Sequence, residues 1–440
     1  MLKEDFIMIS FDEDGWLYPD PLKNITHDID YAGINDLLKL AEEEDMWSAT
    51  IREAVKNRSK DKDNIVQPWI FDQLMIINTG GTVFSMPFGK DIITFNSNRH
   101  FFRGENQQYL KSVPSLLRKQ EGKSKYESEL IKVIAVMRSY QFGRFIWKIN
   151  VVPFWEATLS DVNFDALAQH YGFDTCLLDL TNDFRTALFF ATCKYDYKTD
   201  SYRPLTKEDI EATESSKYGV IFHTPDWTLD YLNGGNIGWQ MQHLKDQREE
   251  PYNFYSGELD GLAFQIGYQP LMRCHHQSGY IMPMMKATPL QNDNRFEKLR
   301  FLQSEELSNR VFKMMDGGKK VFPNEGIGKA LGILRTIQKA IIFSENDLLY
   351  AYHYGAVDKK MFPTLDGLRK ALTAFQVDGE YVSIQKEEID YPIDPSLLQA
   401  INAEYDNRNL LDVVGGMIHQ NPVQRWYREQ RCIEIYGKLI

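Results

Sequence analysis

In the short stretch from Phe164 to Thr192 the chain must form a helix, stop it, cross a core as a strand and start another helix. Phe164 to Tyr171 has the apolar spacing of a helix, and Gly172 is the residue type that ends one most easily. Cys176-Leu177-Leu178-Asp179-Leu180-Thr181 is short and apolar enough for a buried strand. Ala187 to Thr192 has the residues of a tightly packed helix, with Thr181 or Asp183 as its cap. A doubly wound sheet would repeat this alternation along its length. Instead, β-like runs at Gln73–Asn78, Asp91–Phe102, Tyr218–His223, Leu262–Gln269 and Tyr280–Met285 come at irregular intervals. The pattern predicts an α+β fold: a mixed, mostly antiparallel sheet core with flanking helices. Glu127 to Tyr140 supplies one more helix, with Leu130, Ile131, Val133, Ile134 and Met137 facing inward.

The 440 residues, 43% hydrophobic and 13% aromatic, suffice for large cores. The net charge of −12 is concentrated at the N-terminal end, where residues 1 to 65 hold 16 acidic and 8 basic side chains. That leaves no global basic field for nucleic acid, although a local basic groove stays open. Glu42-Glu43-Glu44-Asp45 reads as a solvated helix face or as an acidic contact for a basic surface. Ile34 to Val55 has helical spacing, and Lys56 to Asn64 has the composition of a linker. Three parts follow: a small, partly helical segment over 1–65, a main domain over 66–375, and a C-terminal extension over 376–440. In the extension, Pro422–Ile440 mixes arginines with Trp426, Tyr427, Ile433 and Ile435 and reads as a packing or docking segment. Cys176, Cys193, Cys274 and Cys432 lie far apart, which fits a reducing compartment. No apolar run approaches the roughly 20 residues of a membrane span, and the start lacks a signal peptide's apolar segment, so the expected location is the cytoplasm, without a membrane partner.

Several chemistries can be set aside. Gly326-Ile327-Gly328-Lys329-Ala330 lacks the upstream Gly and the Ser or Thr of a phosphate loop. Cys274-His275-His276, placed on a strand, would turn neighbouring side chains to opposite faces, so no metal is expected. No Gly-x-Ser-x-Gly elbow is present for a serine hydrolase. What remains is a set of polar residues embedded in apolar sequence, beginning with Arg103 between aromatic residues and Gly104 at the end of a strand. Arginine there is a poor choice for a core and a good one for gripping an anion.

Phe102-Arg103-Gly104, Pro114-Ser115-Leu116-Leu117-Arg118, Ala168-Gln169-His170-Tyr171-Gly172, Thr175 with Leu178-Asp179 and Thr181, and Ala187-Leu188-Phe189-Phe190-Ala191 resemble the FRG domain family in order and spacing. The resemblance continues through Arg273, Gln277-Ser278-Gly279-Tyr280 and Met361-Phe362-Pro363-Thr364-Leu365-Asp366-Gly367-Leu368, and covers about 300 residues, from roughly 66 to 375. Two positions depart from it: Cys176 stands where relatives usually have Arg, and Leu180 where they usually have Trp.

More distantly, the pattern is similar to that of Arg-Ser-Glu-type ADP-ribosyltransferases. That resemblance implies NAD as substrate, held by Arg103 and Gly104, with Thr181 in the hydroxyl role and Gln277 on a late strand where a Glu is expected. A neutral amide supplies no negative charge, so Asp179 is the expected carboxylate, with His170 and Tyr171 supporting the nicotinamide or moving a proton. The implied activity is ADP-ribose transfer to a protein or nucleic-acid acceptor, or NAD cleavage, in a bacterial toxin or phage-defence setting. Plainer readings stay open: Arg103 paired with Asp179, His170 as a structural histidine, Thr181 as a cap, Gln277 as a strand residue and Phe189-Phe190 as core. A non-catalytic nucleotide or nucleic-acid sensor and an interaction scaffold are the alternatives.

Overall fold

A computed structural model of the chain describes residues 101–153, 162–181, 183–223, 254–266, 269–277, 279–286, 288–293 and 295–406, with the backbone of four short strands at 9–11, 17–19, 81–85 and 91–95. The expected elements at Ile34–Val55, Lys56–Asn64, Gln73–Asn78 and Pro422–Ile440 lie outside the described residues.

The first half of the chain supplies β1 (Ile9–Phe11), β2 (Leu17–Pro19), β3 (Gly81–Ser85), β4 (Asp91–Phe95), β5 (Phe102–Glu105), α1 (Ser115–Gln120), α2 (Lys125–Ile146), α3 (Phe164–His170), β6 (Leu177–Thr181) and α4 (Phe184–Thr192). Then come β7 (Cys193–Asp196), β8 (Ser201–Pro204), β9 (Tyr218–His223), β10 (Phe264–Gln265), α5 (Met272–His276), β11 (Gly279–Pro283) and β12 (Glu297–Leu302). Of the later elements, α6 (Glu305–Met314), α7 (Leu331–Gln338) and α8 (Pro395–Asp406) bear on the site.

Eight strands form one sheet in the order β1-β2-β12-β9-β5-β6-β11-β10. Its pairings are antiparallel except for β12 with β2. The fold is therefore α+β with a mostly antiparallel sheet. β5 is central, but its two edges are unequal. Against β9 it pairs along its whole length, from Phe102 opposite His223 to Glu105 opposite Val220. Against β6 it pairs only at Phe102 opposite Thr181. Beyond that point the two strands part. The sheet thus has a split next to Arg103, and the cleft described below forms there.

Of the long run expected from Asp91 to Phe102, β4 pairs with β3 in a separate two-stranded sheet and β5 starts at Phe102, while 96–100 lie outside the described residues. Arg103 consequently lies inside a strand rather than at its end. Helix α2 starts at Ser124, whose hydroxyl and the Glu127 carboxylate close a reciprocal cap. It outruns the expected stop at Tyr140 because Phe142, Phe145 and Ile146 continue the buried apolar spacing. Cys274-His275-His276 is helical, not extended, on α5. The β-like run at 262–269 shortens to β10, a two-residue strand.

Three buried clusters hold the sheet. Helix α4 packs Ala187, Leu188 and Ala191 on Ile221, Leu299 and Phe301. On the other face, Phe101, Leu178, Leu180, Val220, Phe222, Tyr280 and Met282 pack together. The largest cluster gathers around α2 and takes in Leu177, Ile281, Val382, Ile401 and Tyr405, so packing runs on without a break past residue 375 into α8. Among the described residues no helix is long and apolar enough to cross a membrane.

Candidate functional site

Gly104 lets two backbones meet. A Cβ built on it would lie 1.7 Å from the Ala187 carbonyl oxygen of α4. Strand and helix touch there, which fixes Arg103 beside the split. The Arg103 guanidinium bridges it: Nε donates to Glu105 Oε1 at 2.9 Å, and Nη1 donates to the Asp179 backbone carbonyl at 2.9 Å. The bond to Asp179 does for β6 what a strand partner would have done. Arg103 is thus not neutralised by the Asp179 carboxylate. Its partner is Glu105, two residues on and buried, which also accepts from the Ser112 hydroxyl.

The Asp179 side chain, 36% exposed, is left for the cleft. Gln169 Nε2 donates to its Oδ2 at 3.1 Å, while Oδ1 lies 3.8 Å from His170 Nε2, and neither of these two atoms has a hydrogen-bond partner among the described residues. Burial holds the His170 pKa below its ordinary value against the pull of Asp179, and the Arg273 charge adds to the lowering. The imidazole is therefore neutral at pH 7. Gln169, whose Oε1 accepts from the Thr175 hydroxyl, fixes the carboxylate from the other side.

Thr181 is a pin. Its hydroxyl donates to the Gln277 carbonyl at 2.7 Å and accepts from the Asp183 amide at 3.1 Å. Asp183, not Thr181, caps α4, accepting from the Arg185 amide and the Thr186 hydroxyl. Gln277 does not lie on the late strand: it follows α5, with its amide bonded to the Arg273 carbonyl at 3.1 Å and its side chain donating to the Val321 carbonyl at 3.2 Å.

Arg273 organises the far wall. Its guanidinium lies over the rings of Phe322, 3.8 Å to the centroid, and Tyr171, 4.4 Å. It donates to the His170 carbonyl at 3.2 Å and to Asp200 Oδ2 at 2.9 Å. Burial opposes its charge, but Tyr171, Asp200 and Glu325 around it more than offset that, and its pKa is raised. Glu325 beneath accepts from the Tyr171 hydroxyl, the Met272 amide at 2.9 Å and the Tyr405 hydroxyl of α8 at 3.1 Å. Burial nevertheless raises the Glu325 pKa.

All seven expected site residues, Arg103, Gly104, His170, Tyr171, Asp179, Thr181 and Gln277, line one cleft of about 440 Å³. Sequence reasoning passed over Glu105, Gln169 and Asp200 as site residues. It also missed the aromatic wall of Tyr195, Tyr202 and Phe322, to which half-buried Phe190 belongs; only Phe189 of the Phe189-Phe190 pair is fully core. An acid two residues after an arginine in a strand places both on one side, a signal that could have found Glu105. Four arginines, Arg103, Arg118, Arg273 and Arg335, face three carboxylates, Glu105, Asp179 and Asp200, so the cleft reverses the sign of the whole chain.

Cys176 is outside the cleft, fully buried in the cluster around α2, with burial pushing its thiol pKa well up. The carboxylate it feels most is Asp165, not Asp179. The position therefore adds no charge to the cleft, and Asp165 accepts, among the described residues, from the Tyr255 hydroxyl alone, 3.4 Å away. Burial raises the Asp165 pKa to about 6. Folding then takes up a proton between the unfolded value near 4 and about 6, and stability falls as pH rises through that window. Asp165→Asn is expected to stabilise the protein by on the order of 1–2 kcal/mol at pH 7.5 and progressively less towards pH 4. Thermal midpoints of both proteins across that range check this.

The FRG domain family pattern matches residues 98–200, so the chain carries an FRG domain. The matched segment contains Arg103, Arg118, His170, Asp179 and Thr181, and the cleft's far wall, with Arg273, Gln277 and Phe322, comes from outside it. Comparison with curated proteins found no match, and neither did comparison with solved structures.

Proposed function

We propose that the cleft binds NAD and cleaves its nicotinamide–ribose bond, passing ADP-ribose to water or to an acceptor. The observation that supports this reading is the sheet split, where an arginine with donors unused among the described residues stands beside a carboxylate whose Oδ1 has no hydrogen-bond partner among them. Such an arginine suits phosphate or ribose oxygens through its planar fork. As the C–N bond breaks, nicotinamide leaves with the electron pair and positive charge develops on the ribose. Asp179 stabilises that charge, a role the neutral Gln277 cannot fill. With water as acceptor, the products are nicotinamide, ADP-ribose and a proton, which the neutral His170 beside Asp179 is suited to receive. The aromatic wall offers faces for the planar rings of the ligand.

Incubation of the purified protein with NAD is expected to release nicotinamide. Arg103→Ala should lower the rate by at least about tenfold, since a charge-assisted hydrogen bond contributes roughly 1.5–3 kcal/mol. Asp179→Asn should lower it with little change in KM, because the charge is needed only as the bond breaks. Release no faster than in Arg103→Ala would end this reading. The buried Gln277, in place of a carboxylate, favours one alternative: a sensor that binds the nucleotide without turnover. NAD raising the thermal midpoint with no nicotinamide released would mark it.

A further inference from the structure

We infer that Arg118 is a second anion-binding residue of the cleft and that Arg103 and Arg118 together form a two-guanidinium seat for a diphosphate group. Both side chains line the cleft. Glu105 sets both. It pairs with Arg103 directly and accepts from the Ser112 hydroxyl, which anchors the segment leading into α1. One residue further on, the Val113 carbonyl accepts from Arg118 Nη1 at 2.6 Å. A single buried carboxylate thus fixes the strand-borne arginine and the chain that steers the helix-borne one.

The seat has capacity to spare. An arginine carries five N–H donors. Arg103 commits one to Glu105 and one to Asp179, and Arg118 commits one to Val113. Nearby lysines are already matched: Lys111 pairs with Glu121 at 2.6 Å and Lys119 with Asp174 at 2.5 Å. Arg118, exposed on the cleft side of α1, has no carboxylate partner among the described residues. Two planar forks with unused donors match two linked phosphates better than one carboxylate. Arg335, across the cleft, also lacks a carboxylate partner among the described residues, but its guanidinium is turned to the Tyr197 carbonyl and ring. Glu105, Asp179 and Asp200 are the acids of the same cleft, and the first and last are each engaged by an arginine.

The inference rests on the NAD reading only for the compound that carries the diphosphate. Its test therefore uses inorganic pyrophosphate. Pyrophosphate is expected to raise the thermal midpoint of the full-length protein, and orthophosphate to raise it less. Arg118→Ala should weaken pyrophosphate binding at least tenfold, Arg118→Lys should weaken it less, and Arg335→Ala, which removes a cleft charge but no seat donor, should weaken it only about two- to threefold. Arg118 is exposed, so its variants are expected to fold like the parent. No stabilisation of the parent protein by pyrophosphate would overturn the seat. So would undiminished binding by Arg118→Ala, or binding lost in Arg335→Ala instead. Arg118-dependent pyrophosphate binding in a protein that leaves NAD intact would retain the seat and remove the NAD reading.

Discussion

Gly104→Ala is expected to be by far the more destabilising of two glycine-to-alanine changes, the other at Gly122. The new methyl carbon would fall 1.7 Å from the Ala187 carbonyl oxygen, 2.7 Å from its carbon and 2.8 Å from the Ala191 nitrogen. All three are backbone atoms, so no rotamer change relieves the overlap. Relief requires lifting β5 off α4, which uncovers Ala187, Leu188 and Ala191. A cost above about 4 kcal/mol follows, a large share of the roughly 5–15 kcal/mol that holds a domain together. Gly122→Ala is the comparison: that residue has φ +74° with nothing within 4 Å of its added carbon, so it pays only for backbone strain, about 1 kcal/mol. Urea unfolding of the two variants should separate them by several kcal/mol. A Gly104→Ala protein as stable as Gly122→Ala would mean that β5 and α4 do not meet as described.

Arg273→Leu is expected to cost about 3–5 kcal/mol, the range for removing one partner of a buried ion pair. Asp200 and Glu325 would each lose their cation, and Tyr171 and Phe322 the guanidinium between them. Denaturant unfolding gives the size of the loss. Its pH dependence gives the cause. With the arginine gone, burial drives the Glu325 pKa further up, so the native state holds a proton that the unfolded chain releases above pH ~4.3. The deficit should therefore grow from pH 5 to pH 8. Adding Glu325→Gln should recover part of it, because the orphaned charge is removed. Hydrogen exchange at Tyr195–Tyr202 should also quicken, since Asp200, held at φ +50° in the turn between β7 and β8, would lose its bond to Arg273.

The sequence was readable where one residue type has one use. Gly172 stops α3 at φ +84°, and the apolar run 177–181 is a strand buried along almost its whole length. The mixed, mostly antiparallel sheet also followed from the irregular order of elements. Arg103, His170, Asp179 and Gln277 were legible as cleft residues because polar groups in apolar surroundings need partners or ligands. Their pairing was not legible. Whether Arg103 meets Asp179 or Glu105 depends on where β5 and β6 part, and strand separation leaves no trace in local pattern. Gln277 was misplaced for a similar reason: α5 is a single turn of helix, too short for its periodicity to stand out from a strand. Cys176 precedes β6 and is buried with its neighbour Leu177 in the cluster around α2, a placement that no alternation along the strand could foretell.

The split sheet also bears on how the chain can be divided. Within 98–200 lie β5 and β6, which share only one register pair, whereas the strands that bind them along their lengths, β9 and β11, come from beyond residue 200. A fragment limited to that segment would expose the β9-facing edge of β5 and the β11-facing edge of β6, both bordered by apolar residues such as Phe102, Leu178 and Leu180. Open edges of that kind recruit other chains. A piece that keeps these two edges paired reaches at least through β11, and through β12 if β9 is to be covered in turn.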